Sequence, residues 1–401
     1  MNLSRIGLLP RIIIAIILGI AFGLFFPEWL VRVFATFNGL FGQFLSFIIP
    51  LIIVGLITPA ISELGKGSGK WLGITTAIAY GSTIFAGLLG FAASMMLLPP
   101  LLAGRGVADY GEPETALAAY FTVEMPPVFG VMTALVLAFV VGVALTAIDG
   151  HRLHRGFVEF REVVNKVITA VIIPLLPIYI FGIFLNMTAT GEVWDIITTF
   201  AGVIVMVFAL TVILIVIQYV LAGAIAGRNP FRMLVTILPA YATALGTSSS
   251  AATIPVTLRQ TLKMGVSEPV ASFVIPLCAT IHLAGSTIKI TTFSLAVMML
   301  YGMDIDPMLI LGFILMLGIT MVAAPGVPGG AIMTAAGLLQ SMLGFTEPQV
   351  GLMIATYIAI DSFGTATNIT GDAAIATVVD KMTERDNARR AGHEAEQIEP
   401  A

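Results

Sequence analysis

Cysteine is nearly absent from this 401-residue chain, and charged side chains are scarce. The single Cys278 excludes an internal disulfide framework and leaves no cysteine pair for a metal. The four histidines show no ligand spacing, such as two histidines four residues apart on one helix. His151 and His154 stand beside Arg152 and Arg155, which predicts a solvated loop. No basic stripe is present that would indicate a nucleic-acid partner.

Apolar side chains make up most of what is present. Hydrophobic residues are 58% of the chain, charged residues are 10%, and the mean hydropathy is +1.01. A soluble domain of this length could not cover so much apolar surface, whereas a lipid bilayer accepts it. The first apolar stretch lacks a small-residue cleavage site and is long enough to span, so we expect a first helix and not a removable signal. The composition therefore predicts a multi-pass integral membrane protein.

Eight apolar runs are long enough to cross a membrane. They lie at about 11–30, 38–62, 71–101, 116–148, 163–187, 194–226, 270–302 and 346–379. Two further segments, at about 231–262 and 307–343, are interrupted by Thr247–Ser250 and by Pro325–Gly330. Each half is too short to cross alone, so each segment predicts a re-entrant helical hairpin. Broken backbone at membrane depth is tolerated where it lines a cavity, so the hairpins indicate a transporter's binding site.

Basic residues collect on one side of this predicted arrangement. Lys66, Arg155, Arg228 and the arginines of the tail fall together, whereas most acidic loop residues fall on the opposite side. The positive-inside rule then places both termini in the cytoplasm, and an even number of spans agrees. We expect the protein in the inner (plasma) membrane of the cell. The polar, charged tail after Thr383 predicts disorder.

Ionisable residues inside a membrane are costly and are therefore candidates for function. Four lie within the predicted spans: His282, Lys289, Asp361 and Asp372. Offsets of seven and four place Asp361, Thr365, Asn368 and Asp372 on one helical face. Such a stripe on an apolar helix faces a cavity, and two acids on it argue against simple helix–helix hydrogen bonding. For Lys289 and His282, a role in coupling and a role in packing both stay open.

Each hairpin interruption also has two interpretations. The serines at 248–250 form a flexible turn, or a helix end whose free N–H groups receive a carboxylate. The segment Gly326–Gly330 forms a simple turn or a gate, and a turn at membrane depth favours the gate.

Four motifs occur in a fixed order along the second half of the chain. They are Thr247–Thr257, Pro276–Ser286, Gly326–Gly329 and Asn368–Asp372. They resemble, in turn, the first hairpin tip, the unwound seventh helix, the second hairpin tip and the eighth helix of the dicarboxylate/amino acid:cation symporter family. That family includes an archaeal aspartate transporter and the mammalian glutamate transporters.

The resemblance implies an all-α integral membrane fold of eight transmembrane helices plus two re-entrant helical hairpins, with inverted repeats. It implies a homotrimer in which residues 1–70 and 103–190 form a scaffold. Residues 71–102 and 191–382 would form a transport domain that moves by elevator-type alternating access, and residues 383–401 a disordered cytoplasmic tail. It also implies a secondary active symporter that has a small-molecule substrate, no enzymatic activity and no cofactor other than sodium as coupling ion.

The resemblance assigns roles to individual residues. Asp361 would bind the substrate's amino group, and Asn368, with Ser250 and neighbouring hairpin amides, would hold its α-carboxylate. The other implied substrate positions are Ser248, Ser249, Ser286, Val327, Pro328, Gly329, Gly364 and Thr365. One implied sodium site combines Asp372 with carbonyls near Cys278, His282 and Asn368. The other uses carbonyls around Thr280 and of Met321, Val322 and Ala324.

Two departures from the family pattern change the expected substrate and ions. Gly364 stands where members that carry acidic substrates have an arginine, so an unpaired substrate carboxylate would face a desolvation penalty. The pattern resembles the sodium-coupled serine/threonine branch, which favours a small neutral polar amino acid. Ala284 replaces an aspartate that ligates a further sodium, so that site is expected to be lost even if Tyr80, Ser82 and Thr83 supply other ligands.

Alternatives remain at this stage. Lys289 could pair with a substrate carboxylate, which would allow a dicarboxylate or an acidic amino acid, and His282 or Lys289 could couple transport to protons. An intramembrane hydrolase would use Ser249 or Ser250 with Lys289 as base, but would leave both hairpins without a purpose. A passive channel is a third possibility, against which a binding site between two gates argues.

Overall fold

The computed structural model describes residues 8–66, 70–102, 118–148, 151–191, 193–322, 324 and 329–398. Within these residues the chain folds into fifteen α-helices and one π-helical turn, Ile168–Ile172, and contains no strand. The helices are α1 Leu8–Gly23, α2 Glu28–Lys66, α3 Lys70–Leu102, α4 Val131–Ala147, α5 His151–Val167, α6 Ile173–Ala189, α7 Val193–Ala226, α8 Pro230–Thr247, α9 Ser250–Lys263, α10 Glu268–Ile281, α11 Ala284–Leu300, α12 Pro307–Met321, α13 Gly330–Ser341, α14 Glu347–Ala359 and α15 Asp361–Ile398. The predicted all-α class is confirmed.

Several helices are long and apolar enough to cross a bilayer. Five qualify among the described residues: Glu28–Ser62, Lys70–Leu102, Arg152–Ala189, Ile196–Ala226 and Glu268–Leu300. A sixth span is formed if α14 and α15, which meet at an angle of 64°, count as one. Shorter apolar helices are Pro10–Gly23, Val131–Ala147 and Pro307–Met321. The predicted total of eight spans plus two hairpins stays a prediction.

The amino-terminal half differs from the sequence prediction in its boundaries. The break between the first two helices lies at residues 24–27, before the predicted 30–38, because Gly23 and Pro27 end one helix and start the next. The run at 116–148 is helical only over α4, whereas residues 118–130 are non-helical. The predicted loop around His151 is wrong. That segment is helix α5, in which charged residues form one face and apolar residues the other. His154 Nδ1 lies 2.9 Å from Ser62 Oγ of α2.

Four interruptions shape the carboxy-terminal half. Helices α8 and α9 pack together across a two-residue turn, and α12, which ends at Met321, packs on α13, which begins at Gly330. Helix α10 ends at Ile281 and α11 begins at Ala284, while a single residue, Ile360, separates α14 from α15. Each interruption creates helix ends, where some backbone groups lack a partner within the helix.

Helix α15 is the central element of this half. It packs against α7, α8, α9, α10 and α11, and residues 361–380 are buried apart from the partly buried Phe363 and Val378. A second layer forms around α2, which contacts α4, α5 and α6, while α1 packs on α6. The division into scaffold and transport domains stays a prediction. Because residues 361–380 of α15 are buried apart from the partly buried Phe363 and Val378, polar residues in that segment must find partners inside the protein.

Helix α15 continues past Thr383 to Ile398, and the disorder of the tail stays a prediction. The segment is rich in alanine, glutamate and arginine, which favour helix even where no apolar face is present. An ion pair from Lys70 Nζ to Asp386 Oδ1, 2.5 Å long, attaches this extension to the start of α3.

Candidate functional site

Asp361 opens α15 and contacts both the start of α13 and α11. Its Oδ2 accepts a hydrogen bond of 2.8 Å from the backbone N–H of Gly329, at the start of α13. Its Oδ1 lies 3.7 Å from Lys289 Nζ. Gly329 has a φ of +76°, which a glycine adopts without strain, so the turn can present its N–H to the carboxylate. The predicted substrate residues Asp361 and Gly329 are therefore brought together.

Lys289 is the most deeply enclosed cation among the described residues, with no exposed side-chain surface. Its Nζ donates to the carbonyl oxygen of Ile360 at 3.3 Å and lies 3.8 Å from the centre of the Tyr357 ring. A carbonyl, a carboxylate and an aromatic face all favour the charged ammonium. A Cβ atom at Gly364 would collide with Nζ and Cε of Lys289. Position 364 therefore makes room for the lysine, whose ammonium lies close to where a side chain at 364 would begin.

Asn368 and Ser286 form the next layer of the site. The Oδ1 of Asn368 accepts the Gly285 N–H at 2.8 Å, and its Nδ2 donates to Ser286 Oγ at 3.2 Å. Ser286 Oγ also accepts from the Tyr357 hydroxyl at 2.8 Å. This network ties α15 to the start of α11, where the chain leaves its break. Thr365 lies one turn after Asp361 and donates to its carbonyl oxygen at 3.3 Å.

Asp372, one helical turn after Asn368 on α15, contacts His282. His282 Nδ1 lies 2.9 Å from Asp372 Oδ1, and its Nε2 lies 3.0 Å from Ser82 Oγ of α3. Gln218 of α7 donates to the same serine at 3.0 Å. The second carboxylate oxygen, Asp372 Oδ2, is buried without a hydrogen-bond partner. A buried carboxylate oxygen of this kind is a suitable donor for a hard cation such as sodium.

The remaining implied ligands are scattered around this core. The Cys278 carbonyl accepts the His282 N–H at 2.8 Å, and the Met321 carbonyl accepts the Ala324 N–H at 3.2 Å. Thr280 is exposed and donates to the Leu277 carbonyl, and Val322 ends α12. Val327 and Pro328 lie outside the described residues.

The three hydroxyl side chains of α3 do not converge. Tyr80 donates to the Leu315 carbonyl at 3.1 Å, Thr83 donates to the Ala79 carbonyl of its own helix, and Ser82 turns to His282. They contact three different places, and the expected loss of a further sodium site around Ala284 stays a prediction.

The turn between α8 and α9 is stabilised by its own hydroxyl groups. Ser248 has a φ of 49°, the only positive value at a non-glycine residue in the described parts of the chain. Ser249 caps α9 by accepting the Ala252 N–H at 3.3 Å, and Ser250 is the first residue of that helix. All three serines are half-buried. The α9 N-terminus thus carries free N–H groups in a polar turn, as anion binding requires.

Sequence reasoning missed two members of the site. Tyr357 supplies both an aromatic face for Lys289 and a hydroxyl for Ser286. Gln218 joins α7 to the Ser82–His282 contact. A glutamine in an otherwise apolar span is a signal that could have indicated the second residue, because a membrane-buried amide needs a partner. Nothing in the spacing singled out Tyr357.

Comparison with known proteins identifies the family of the chain. The model of the sodium:dicarboxylate symporter family matches residues 8–382. The chain belongs to that family. It is also similar to a protein named serine/threonine transporter SstT from Streptococcus thermophilus (strain CNRZ 1066), with 26% identity over 393 residues, 94% of this chain and 96% of the relative.

Membership defines the class of activity. The sodium:dicarboxylate symporter family consists of cation-coupled membrane transporters and not of enzymes, so the intramembrane hydrolase interpretation is wrong. The contacts agree, because Lys289, the proposed base, is engaged with Asp361, Ile360 and Tyr357. A multi-pass transporter in a membrane, with a small-molecule substrate and a coupling ion, is the established description.

Proposed function

We propose that the protein imports a small neutral polar amino acid, similar to serine or threonine, together with sodium. The observation that carries this proposal is the buried pair of Asp361 and Lys289 beside the amide of Asn368. A neutral amino acid carries one ammonium and one carboxylate. A site with one fixed charge of each sign receives such a zwitterion without a net buried charge, which would be costly.

Individual contacts of the substrate follow from this arrangement. The amino group binds Asp361 Oδ1, whose distance of 3.7 Å from Lys289 Nζ is longer than a direct ammonium–carboxylate hydrogen bond. The α-carboxylate binds the N–H groups at the start of α9 and the side-chain amide of Asn368. Ser286 and Thr365 provide hydroxyl groups for a polar substrate side chain. The similarity to a serine/threonine transporter supports a substrate of this size.

Sodium is the proposed coupling ion because Asp372 Oδ2 is buried and unpartnered. With carbonyls near Cys278, His282 and Asn368 it would form one site, and carbonyls around Thr280 and from Met321 to Ala324 would form the other. We further propose a homotrimer with both termini in the cytoplasm of the inner membrane. Residues 71–102 and 191–382 would move as the transport domain against the scaffold.

A second candidate is an acidic amino acid or a dicarboxylate. One observation favours it: Lys289 Nζ lies where a side chain at Gly364 would begin, so the lysine could replace the arginine of acidic-substrate members. In that case a substrate side-chain carboxylate would pair with Lys289, and Asp361 would still bind the amine.

Uptake of labelled L-serine and L-aspartate into proteoliposomes separates these candidates. We expect serine uptake under an inward sodium gradient, no aspartate uptake, and no uptake under a potassium gradient. Aspartate or dicarboxylate uptake would replace the first candidate by the second. Uptake driven only by a pH gradient would contradict sodium coupling and would direct attention to His282 and Lys289.

A further inference from the structure

We infer that Lys289 is a built-in counter-cation, which neutralises Asp361 while the unloaded transporter returns across the membrane. The inference rests on the proposed function in one respect, the assignment of the substrate's amino group to Asp361. The ammonium of Lys289 lies beside the Asp361 carboxylate, and the proposed function assigns that carboxylate to the substrate's ammonium. The two cations therefore can serve the same carboxylate in alternate halves of a transport cycle.

The need for a counter-cation follows from the burial of Asp361. Its side chain is 11% exposed, and Asp361 is the first residue of α15, which is buried over residues 361–380 apart from the partly buried Phe363 and Val378. A symporter must return its site without substrate, and a lone carboxylate in a low-dielectric interior opposes that movement. Asp361 receives one backbone N–H, from Gly329, which does not cancel a full charge. Lys289 is the cation within reach among the described residues.

The geometry of Lys289 allows it to yield to a substrate. Its distance of 3.7 Å from Asp361 Oδ1 is longer than the 2.7–2.9 Å of a direct ammonium–carboxylate hydrogen bond. Its Nζ is held instead by the Ile360 carbonyl at 3.3 Å and by the Tyr357 ring at 3.8 Å. These two contacts keep the lysine in place when a second ammonium arrives, so Asp361 can bind the substrate while Lys289 stays beside it.

Gly364 is part of the same device. Any side chain at this position would begin inside the volume of the lysine tip, since a Cβ there would collide with Nζ and Cε. A lysine that only filled space would require no charge, so a neutral side chain of similar length should replace it. This difference separates the counter-cation from a packing residue.

The test compares net uptake with exchange in Lys289→Met. Net uptake into vesicles that contain no substrate requires the unloaded transporter to return, whereas exchange against unlabelled internal substrate uses only loaded movements. We expect net uptake to fall at least about tenfold more than exchange, because only the unloaded step leaves Asp361 uncompensated. The exposed pair of Lys70 with Asp386 gives a matched control, and Lys70→Met should leave both fluxes unchanged.

Chemical rescue provides a second measurement. Lys289→Ala removes the atoms of n-propylammonium, so this cation inside the vesicles should restore net uptake, whereas n-propanol should not. The inference is overturned if both fluxes of the variants fall equally, if net uptake is unaffected, or if propanol rescues as well as propylammonium. If the wild-type protein carries a different solute, the same two fluxes are measured with that solute, so failure of the proposed substrate remains distinguishable.

Discussion

Removing the charge of Asp361 should destabilise the folded protein and removing Lys289 as well should restore it. Asp361→Asn keeps the shape and leaves the ammonium of Lys289 buried with a carbonyl and an aromatic ring as its remaining contacts. Breaking a buried ion pair from one side costs about 3–5 kcal/mol. The Gly329 N–H then donates to a neutral acceptor instead of a charged one, which adds roughly 1 kcal/mol to the loss of stability.

The reverse variant, Lys289→Met, should lower the free energy of unfolding by less than Asp361→Asn does. Asp361 retains the Gly329 N–H and a little exposed surface, whereas Lys289 has none, so we expect a loss near the lower end, about 3 kcal/mol. The double variant replaces the whole pair by uncharged groups of similar volume, which is close to neutral in other proteins. The single losses add to about 7–9 kcal/mol while the double variant is close to neutral, so the two changes should couple by roughly that amount.

The assay is equilibrium unfolding in mixed detergent micelles for the wild type, both single variants and the double variant. Asp386→Asn is the control, since its pair with the half-exposed Lys70 is worth at most about 1 kcal/mol. Losses that simply add, with a coupling below about 0.5 kcal/mol, would refute a buried ion pair at this site.

Three further predictions concern the other layers of the site. Asp372→Asn should weaken the stimulation of uptake by sodium in proteoliposomes, because the buried oxygen that lacks a partner loses its charge; an unchanged sodium response would place coupling elsewhere. Ser286→Ala should lower the free energy of unfolding by about 1–3 kcal/mol, since the Tyr357 hydroxyl and the Asn368 amide lose their common acceptor, and an effect below that range would mean that both groups find other partners. Gly364→Arg alone should impair folding through its collision with Lys289, whereas Gly364→Arg with Lys289→Ala should shift uptake from serine toward aspartate; retained serine preference would exclude position 364 from specificity.

Periodicity and spacing were sufficient for the main features of the carboxy-terminal half. The serine run and the Pro–Gly run interrupt apolar segments; the structure has a turn at Ser248–Ser249, and α12 ends at Met321 while α13 begins at Gly330. The polar stripe of Asp361, Asn368 and Asp372 required a buried face, and all three side chains are buried. A stripe of polar residues on an apolar helix needs polar partners inside the protein, which makes it a reliable sequence signal of a buried site.

Boundaries and partners were harder to predict. The arginines and histidines around His151 predict a solvated loop, but the apolar residues between them form a helix face. The break at Ile360 was not predicted, since neither glycine nor proline marks it. Pairing of Lys289 with Asp361, 72 positions later, depends on how α11 lies against α15, and no local pattern encodes that contact.

The break at Ile360 also acts as an electrostatic element. Helix α14 ends there and presents carbonyl oxygens, the negative end of its dipole, to the ammonium of Lys289. Helix α15 begins one residue later, so its positive end faces the carboxylate of Asp361. The backbone thus separates the two signs of charge over a single residue. A continuous helix through this point would remove both dipole ends at once, so any movement that straightens the 64° bend would also weaken the hold on both ions of the pair.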